Sequence, residues 1–239
     1  MEPLLVAKEV RKLYRSTGGA VVALDSINLE VERGELVAVM GPSGSGKTTM
    51  LNCLSGLDDI DSGQVFVDGR DLFAMSDAER TLHRAHAMGF IFQAFNLIPV
   101  FNAVENVELP LLLRGTSPKE ARRRAVEMLD RVGLGHRATH KPNEMSGGEQ
   151  QRVTIARALV GRPAIVWADE PTGNLDSTMA DAVMQLLGQL NEEEQQTIVL
   201  VTHDSGIGAA AGRVVRMRDG RLESDERREA KPPALTTAG

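Results

Sequence analysis

The chain has 239 residues, of which 42% are hydrophobic and 25% charged, and a formal net charge of −6. That length and apolar fraction can bury a full core, and the acidic balance argues against a nucleic-acid scaffold, which carries a basic surplus. No run approaches the ~18 apolar residues of a membrane helix, residues 1–9 lack the features of a signal peptide, and one cysteine, Cys53, excludes an intrachain disulfide. A cytoplasmic protein is expected, with Cys53 as a small buried hydrophobe.

In chain order, residues 21–31 and 36–40 are β-like and flank the turn Glu32-Arg33-Gly34-Glu35, as in a hairpin-like entry. Next comes Gly41-Pro42-Ser43-Gly44-Ser45-Gly46-Lys47-Thr48, with Thr49 continuing into a predicted helix. Strand, glycine-rich loop and helix start are the context that makes this motif a phosphate site. The glycines let successive N–H groups turn inward around an anion, and the helix start adds its positive dipole end. Lys47 supplies charge for β- and γ-phosphates, and the Thr48 hydroxyl can ligate Mg²⁺. A nucleoside triphosphate site is implied.

Residues 64–67 form a further β-like run ending at the turn signal Asp68-Gly69. Residues 96–142 contain no clear strand. Ser117-Pro118-Lys119-Glu120 reads as a capping box with proline at the first helical position, followed by helical spacing and Gly133 as a stop. An inserted helical subdomain over about 96–160 is expected. Residues 165–168 and 197–201 are continuous apolar runs, as strands buried on both faces require. Strands alternating with helices predict an α/β fold with a mainly parallel central sheet. The boundary of the folded domain is placed at 222, and the polar tail 223–239 is expected to be disordered.

Asp169-Glu170 follows the strand at 165–168, where α/β folds place ligands. Asp169 suits a Mg²⁺ site through water, and Glu170 suits a general base. His203 follows the strand at 197–201; from position alone it reads as structural, surface or functional. His83, His86, His136 and His140 receive no functional reading. In Met145-Ser146-Gly147-Gly148-Glu149-Gln150, Ser146 and Glu149 form a capping box, and two glycines at a helix start leave bare N–H groups for a second anion.

Together these segments resemble the ordered motif set of an ABC transporter ATPase subunit. Residues 41–48 are similar to its Walker A loop, Gln93 to the Q-loop, 145–150 to the signature, 165–170 to Walker B, Asn174-Leu175-Asp176 to the D-loop and His203 to the H-loop. Tyr14 is similar to the aromatic that stacks on adenine, although an aromatic at a strand end fits core packing equally. Residues 146–152 and 170–177 further resemble a subgroup serving lipoprotein release, macrolide or peptide export, and cell division. Met145, Glu149 and Trp167 depart mildly from the family pattern, and none of these departures touches a phosphate-facing group.

The resemblance implies a P-loop NTPase fold: a RecA-like core, an antiparallel β entry subdomain and the helical insertion. It implies ATP and Mg²⁺, with Thr48, Gln93 and Asp169 at the metal and Glu170, His203 and Gln93 in catalysis. It also implies a head-to-tail homodimer in which Ser146, Gly147, Gly148, Glu149 and Asp176 meet the partner's ATP. A separate integral membrane permease would then hold the chain at the cytoplasmic face of the membrane. Export or lipoprotein extraction is one expected role. The other is nucleotide-gated signalling through a permease-like partner that transports nothing and controls cell-wall hydrolysis. The segment 94–101 is too apolar for a loop facing only water; it fits internal packing or a groove for a permease helix.

Overall fold

A computed structural model describes residues 2–16, 19–204, 206, 208 and 211–227. Its first strands are β1 (Leu5–Ser16), β2 (Gly19–Val31) and β3 (Leu36–Met40), followed by helix α1 (Lys47–Leu54). Then come β4 (Ser62–Val67), β5 (Arg70–Asp71), α2 (Asp77–Ala87) and β6 (Met88–Phe92). Three helices, α3 (Ala103–Leu113), α4 (Pro118–Arg131) and α5 (Gly147–Leu159), precede β7 (Ile165–Asp169). The chain continues through α6 (Ser177–Glu194), β8 (Thr197–Thr202), β9 (Arg213–Arg218) and β10 (Arg221–Arg227).

The central sheet has the order β10-β9-β3-β8-β7-β6, with every pair parallel except β9 and β10. Its continuous apolar runs serve two cores at once. Leu36, Ala38, Val166, Ala168, Ile198 and Leu200 face the helices α3 to α6, while Val37, Val39, Ile165, Trp167, Val199 and Val201 face α1 and a second sheet. That second sheet, β2-β1-β4-β5, is antiparallel. Alternation of side chains along a strand gives each face its own set, so a strand buried on both sides has no polar face to show. Trp167 is fully buried in the second core, as its packing role requires. Cys53 is also fully buried there, and burial pushes its thiol up to about 12, so it stays a protonated, inert group.

Three local expectations need correction. Residues 32–35 do not close a hairpin: β2 and β3 lie in different sheets, because β3 is buried on both faces and pairs with β8 and β9. Among the described residues the hairpins include β4–β5 and β9–β10, which turn through Asp68-Gly69 at φ 53° and 73° and through Asp219-Gly220 at φ 47° and 75°, a twist that matches the strands; β1 and β2 pair antiparallel as well. The Ser117 cap is only half of a box. Its hydroxyl accepts from the Glu120 N–H at 3.4 Å, but the Glu120 carboxylate turns to Arg123 at 2.9 and 2.6 Å. Helix α4 ends as expected, in a double reverse bond from Gly133 to Asp130 and Leu134 to Leu129.

Residues 223–227 belong to β10, five positions past the expected boundary. The reason is Arg213 on β9, whose side chain is nearly buried and bonded through both ends of its guanidinium to Asp225, at 2.7 and 2.6 Å, and to Glu35 at 2.9 Å. A buried guanidinium requires carboxylate partners, and one of them lies in the segment that looked like polar tail. The expectation for 228–239 falls outside the described residues.

Candidate functional site

The phosphate loop runs from the end of β3 into α1. Gly44 and Gly46 adopt φ 79° and 100°, and a Cβ at Gly46 would sit 2.5 Å from the Ala23 carbonyl. A Cβ at Gly41 would collide with the Met217 carbonyl. Only glycine meets both demands. The Lys47 ammonium lies over the loop, donating to the carbonyls of Gly41 and Pro42 at 2.9 Å each. Ser45 is buried and its hydroxyl has no protein partner.

Walker B residues converge on this loop. The Thr48 hydroxyl donates to Asp169 Oδ1 at 3.1 Å. Burial pushes the Asp169 carboxyl above its ordinary range and the neighbouring Glu170 charge adds to this, while the Thr48 hydrogen bond and the Lys47 charge oppose it. Glu170 has φ 44°, an uncommon conformation for a side chain of this kind, and its N–H is tied to the Val201 carbonyl at 3.0 Å. The end of β8 thus sets where Glu170 points, and Nδ1 of His203 lies 3.2 Å from its Oε1.

A cavity of about 470 Å³ opens above the loop, lined by Ser43, Gly44, Lys47, Thr48, Thr49 and Glu170. Tyr14, Val21 and Val22 form its far wall. Tyr14 is 44% exposed, so it is a wall residue and not core. The volume suits a nucleotide, and the donor set suits its charged end. Lys47, the loop N–H groups and the start of α1 fit a triphosphate, and the hydroxyl–carboxylate pair of Thr48 and Asp169 fits a hard cation.

The signature lies elsewhere. Ser146 caps α5, accepting from the Glu149 N–H at 3.3 Å while Glu149 Oε2 accepts from the Ser146 N–H at 2.8 Å. A Cβ at Gly148 would meet Met179 Sδ at 2.6 Å, so that glycine also serves the packing of α6. Gly147 has only ordinary contacts, at 3.4 Å or more. Asp176 caps α6 through the Met179 N–H at 2.9 Å. Gln93 is engaged with the turn after Walker B: its backbone carbonyl accepts from Asn174 at 2.8 Å, and its amide lies against Gly173. None of Ser146, Gly147, Gly148, Glu149, Asp176 or Gln93 lines the loop cavity.

The ABC transporter family profile matches residues 24–173. The chain is an ATP-binding cassette of the ABC transporter family. It is 45% identical to the lipoprotein-releasing system ATP-binding protein LolD of Pseudomonas syringae over 92% of its own length and 96% of that protein. It is 46% identical to the macrolide export ATP-binding/permease protein MacB of Bdellovibrio bacteriovorus, matching 97% of this chain but 35% of that one. The structure of the cassette MJ0796 from Methanocaldococcus jannaschii, a dimer in a post-hydrolysis state bound to ADP and Pi, aligns with a TM-score of 0.87 at 44% identity, over 95% of this chain and 100% of that one. As a member of this family the cassette is an ATPase.

Several residues of the cassette escape a motif reading. Lys12 and Asp58 hold Tyr14, and Arg137 pairs with Glu149 at 2.8 Å. Backbone hydrogen bonds from Ser146 hold the Glu149 carboxyl below its usual range, with Arg137 adding to the effect against a smaller cost of burial. Arg157, deep in α5, donates to the carbonyls of Phe95 and Asn96 at 3.0 and 2.7 Å, locking the segment after Gln93 to the signature helix. Asn106 is fully buried and holds the same segment through Ile98, Phe101 and Asn102. Each of these contacts joins positions far apart in sequence or follows no periodic pattern. The capping box of α2, Ser76 with Glu79, was readable and marks a helix that apolar periodicity alone does not.

Proposed function

We propose that the cassette binds Mg²⁺–ATP on its phosphate loop and closes head-to-tail on a second copy, driving a separate membrane permease for export or lipoprotein extraction at the cytoplasmic face of the membrane. The observation that carries the reading is the separation of two half-sites. The loop cavity gathers Tyr14, Lys47, Thr48 and Glu170 but no signature residue, while Ser146 and Gly147 stand at the start of α5 outside it. A twofold arrangement completes both sites at once, since the same two patches meet in each. ATP then binds the closed dimer better than the open monomers and shifts the population by that difference.

In this reading Lys47 and the loop amides hold the β- and γ-phosphates. Thr48 and Asp169 would hold Mg²⁺, which would supply electrophilic stabilisation of the phosphate oxygens; Gln93, held by Asn174 outside the cavity of the single chain, would join them in the closed dimer. Glu170 accepts a proton from the attacking water at its carboxylate, and His203 fixes that carboxylate through Oε1. Ser146 and the Gly147 and Gly148 amides, with Glu149 keeping the cap formed and Asp176 beside them, address the γ-phosphate of the partner's ATP. Loss of that phosphate weakens the dimer.

Docking of a permease is supported by a groove of about 430 Å³ formed by β6, α2, α3 and α5. Phe90, Phe92, Leu109 and Leu113 give it an apolar floor, and Leu113 is 75% exposed. Leu97, by contrast, packs against the helical core. The likeness to LolD over nearly its whole length, and to the cassette part of MacB, favours an export-type role. Purifying the tagged cassette from detergent-solubilised membranes tests the reading. Co-purification of a permease whose substrate movement depends on Glu170 supports it; a cassette recovered without any membrane protein overturns it.

A further inference from the structure

We propose that Lys12 and Asp58 are positioning residues that lock the Tyr14 ring as the platform for the nucleobase. This rests on the reading of the loop cavity as the ATP site, and adds to it the device that fixes the base end.

Tyr14 is an exposed side chain on the cavity wall, yet both its hydroxyl and one face of its ring are engaged. Its hydroxyl donates to Asp58 Oδ2 at 2.7 Å. The Lys12 ammonium stands 5.1 Å from the ring centroid over one face. Lys12 is itself only 8% exposed and donates to Asp58 Oδ1 at 2.8 Å and to the Asp59 carbonyl at 2.7 Å. Asp58 thus divides its two oxygens between the phenol and the ammonium. A long, flexible ammonium is placed in a buried position only with strong partners, and here both partners converge on the ring.

Two consequences follow from the geometry. The cation covers one ring face and leaves the opposite face for a base, and a cation behind an aromatic ring draws its π density away from the stacking face. Asp58 also sits in the turn directly after α1, whose first residue is Lys47, and the Asp58 N–H is bonded to the Asn52 carbonyl at 3.1 Å. One short helix therefore sets the spacing between the phosphate loop and the ring. Preorganisation of this kind lowers the ordering cost of binding.

The test compares Mg²⁺–ATP with Mg²⁺–tripolyphosphate, which has the phosphates and no base. Asp58→Asn, Lys12→Met and Tyr14→Phe should each weaken ATP by about 3–10-fold, the worth of one hydrogen bond, and leave tripolyphosphate affinity unchanged. For Asp58→Asn and Lys12→Met the KM for ATP should rise while kcat at saturation stays at the wild-type value. Tyr14→Ala sets the upper limit, about 5–100-fold for the loss of one stacked base. Equal weakening of both ligands by Asp58→Asn and Lys12→Met would overturn the proposal, because the pair would then support the phosphate loop. Unchanged ATP affinity in those variants, with a loss in Tyr14→Ala, would show a ring that needs no positioning and leave the ATP site standing. No effect of Tyr14→Ala would remove the platform itself. Should Lys12→Met fail to fold, Asp58→Asn, which alters the shared anchor of the phenol and the ammonium, and Tyr14→Phe together still decide the question.

Discussion

The Thr48 hydroxyl and the Asp169 carboxylate meet at 3.1 Å across 121 positions of sequence. One belongs to the first turn of α1 and the other to the end of β7, so the pair closes only when the parallel sheet is assembled. A hydroxyl bonded to a carboxylate beside a phosphate loop is the donor set that a hard divalent cation takes.

Replacing Thr48 by Val keeps the shape and deletes that donor. Mg²⁺ should then strengthen ATP binding by at least ~10-fold less than in the wild type, the usual cost of disturbing a metal's immediate surroundings. Calorimetry of ATP with Mg²⁺ and with chelator measures it. An unchanged Mg²⁺ effect would remove Thr48 from the metal site.

Glu170→Gln should keep nucleotide binding and lower turnover by roughly 10²–10⁴-fold. With hydrolysis blocked, gel filtration should show a dimer that requires ATP. Near-normal turnover in this variant would remove Glu170 as the base.

Deleting residues 223–239 should destabilise the fold by about 1–3 kcal/mol, because Arg213 loses Asp225 in a nearly buried position. The bonds from Arg213 hold the Asp225 carboxyl below its usual range, against a smaller opposing effect of burial. A carboxyl depressed in the folded state stabilises fully above its unfolded value of about 3.9 and loses that contribution as pH falls toward the folded value. Arg213 stays charged throughout. The wild type should therefore lose stability below about pH 4 more steeply than Asp225→Asn does. Denaturant melts at pH 7 and pH 3 provide the comparison, and equal slopes would contradict it.

Leu113→Asp should leave soluble ATPase activity near the wild-type value while abolishing co-purification of the permease. Leu97→Asp should unfold or strongly destabilise the cassette instead, since it puts a charge against the helical core. A Leu113→Asp variant that still binds the permease would move the docking surface away from this groove.

Much of the fold and site could be read from local pattern. The phosphate loop, the buried strands, the Ser146 cap and the stop at Gly133 each follow from residues within a few positions of one another. What could not be read depends on distant partners. The partnership of β3 with β8 and β9 is fixed by burial on both faces, which a turn at 32–35 does not reveal. The extension of β10 depends on a buried arginine on another strand. Lys12, Asp58 and Arg157 occupy no motif, and their roles appear only once the carbonyls and carboxylates they bind are in place.

In the proposed dimer, one copy's phosphate loop and the other's signature form a single ATP site. A Cβ at Gly147 would make only ordinary contacts, so Gly147→Asp is expected to injure the signature while keeping the fold, which a thermal melt of the variant checks. In a Glu170→Gln background, Lys47→Ala subunits can be mixed with Gly147→Asp subunits, and ATP-dependent dimers counted with their bound nucleotide. Only the mixture should form dimers, each holding one ATP, on the intact loop of the Gly147→Asp chain against the intact signature of the Lys47→Ala chain. Dimers of equal stability in either mutant alone, or none in the mixture, would contradict the shared site.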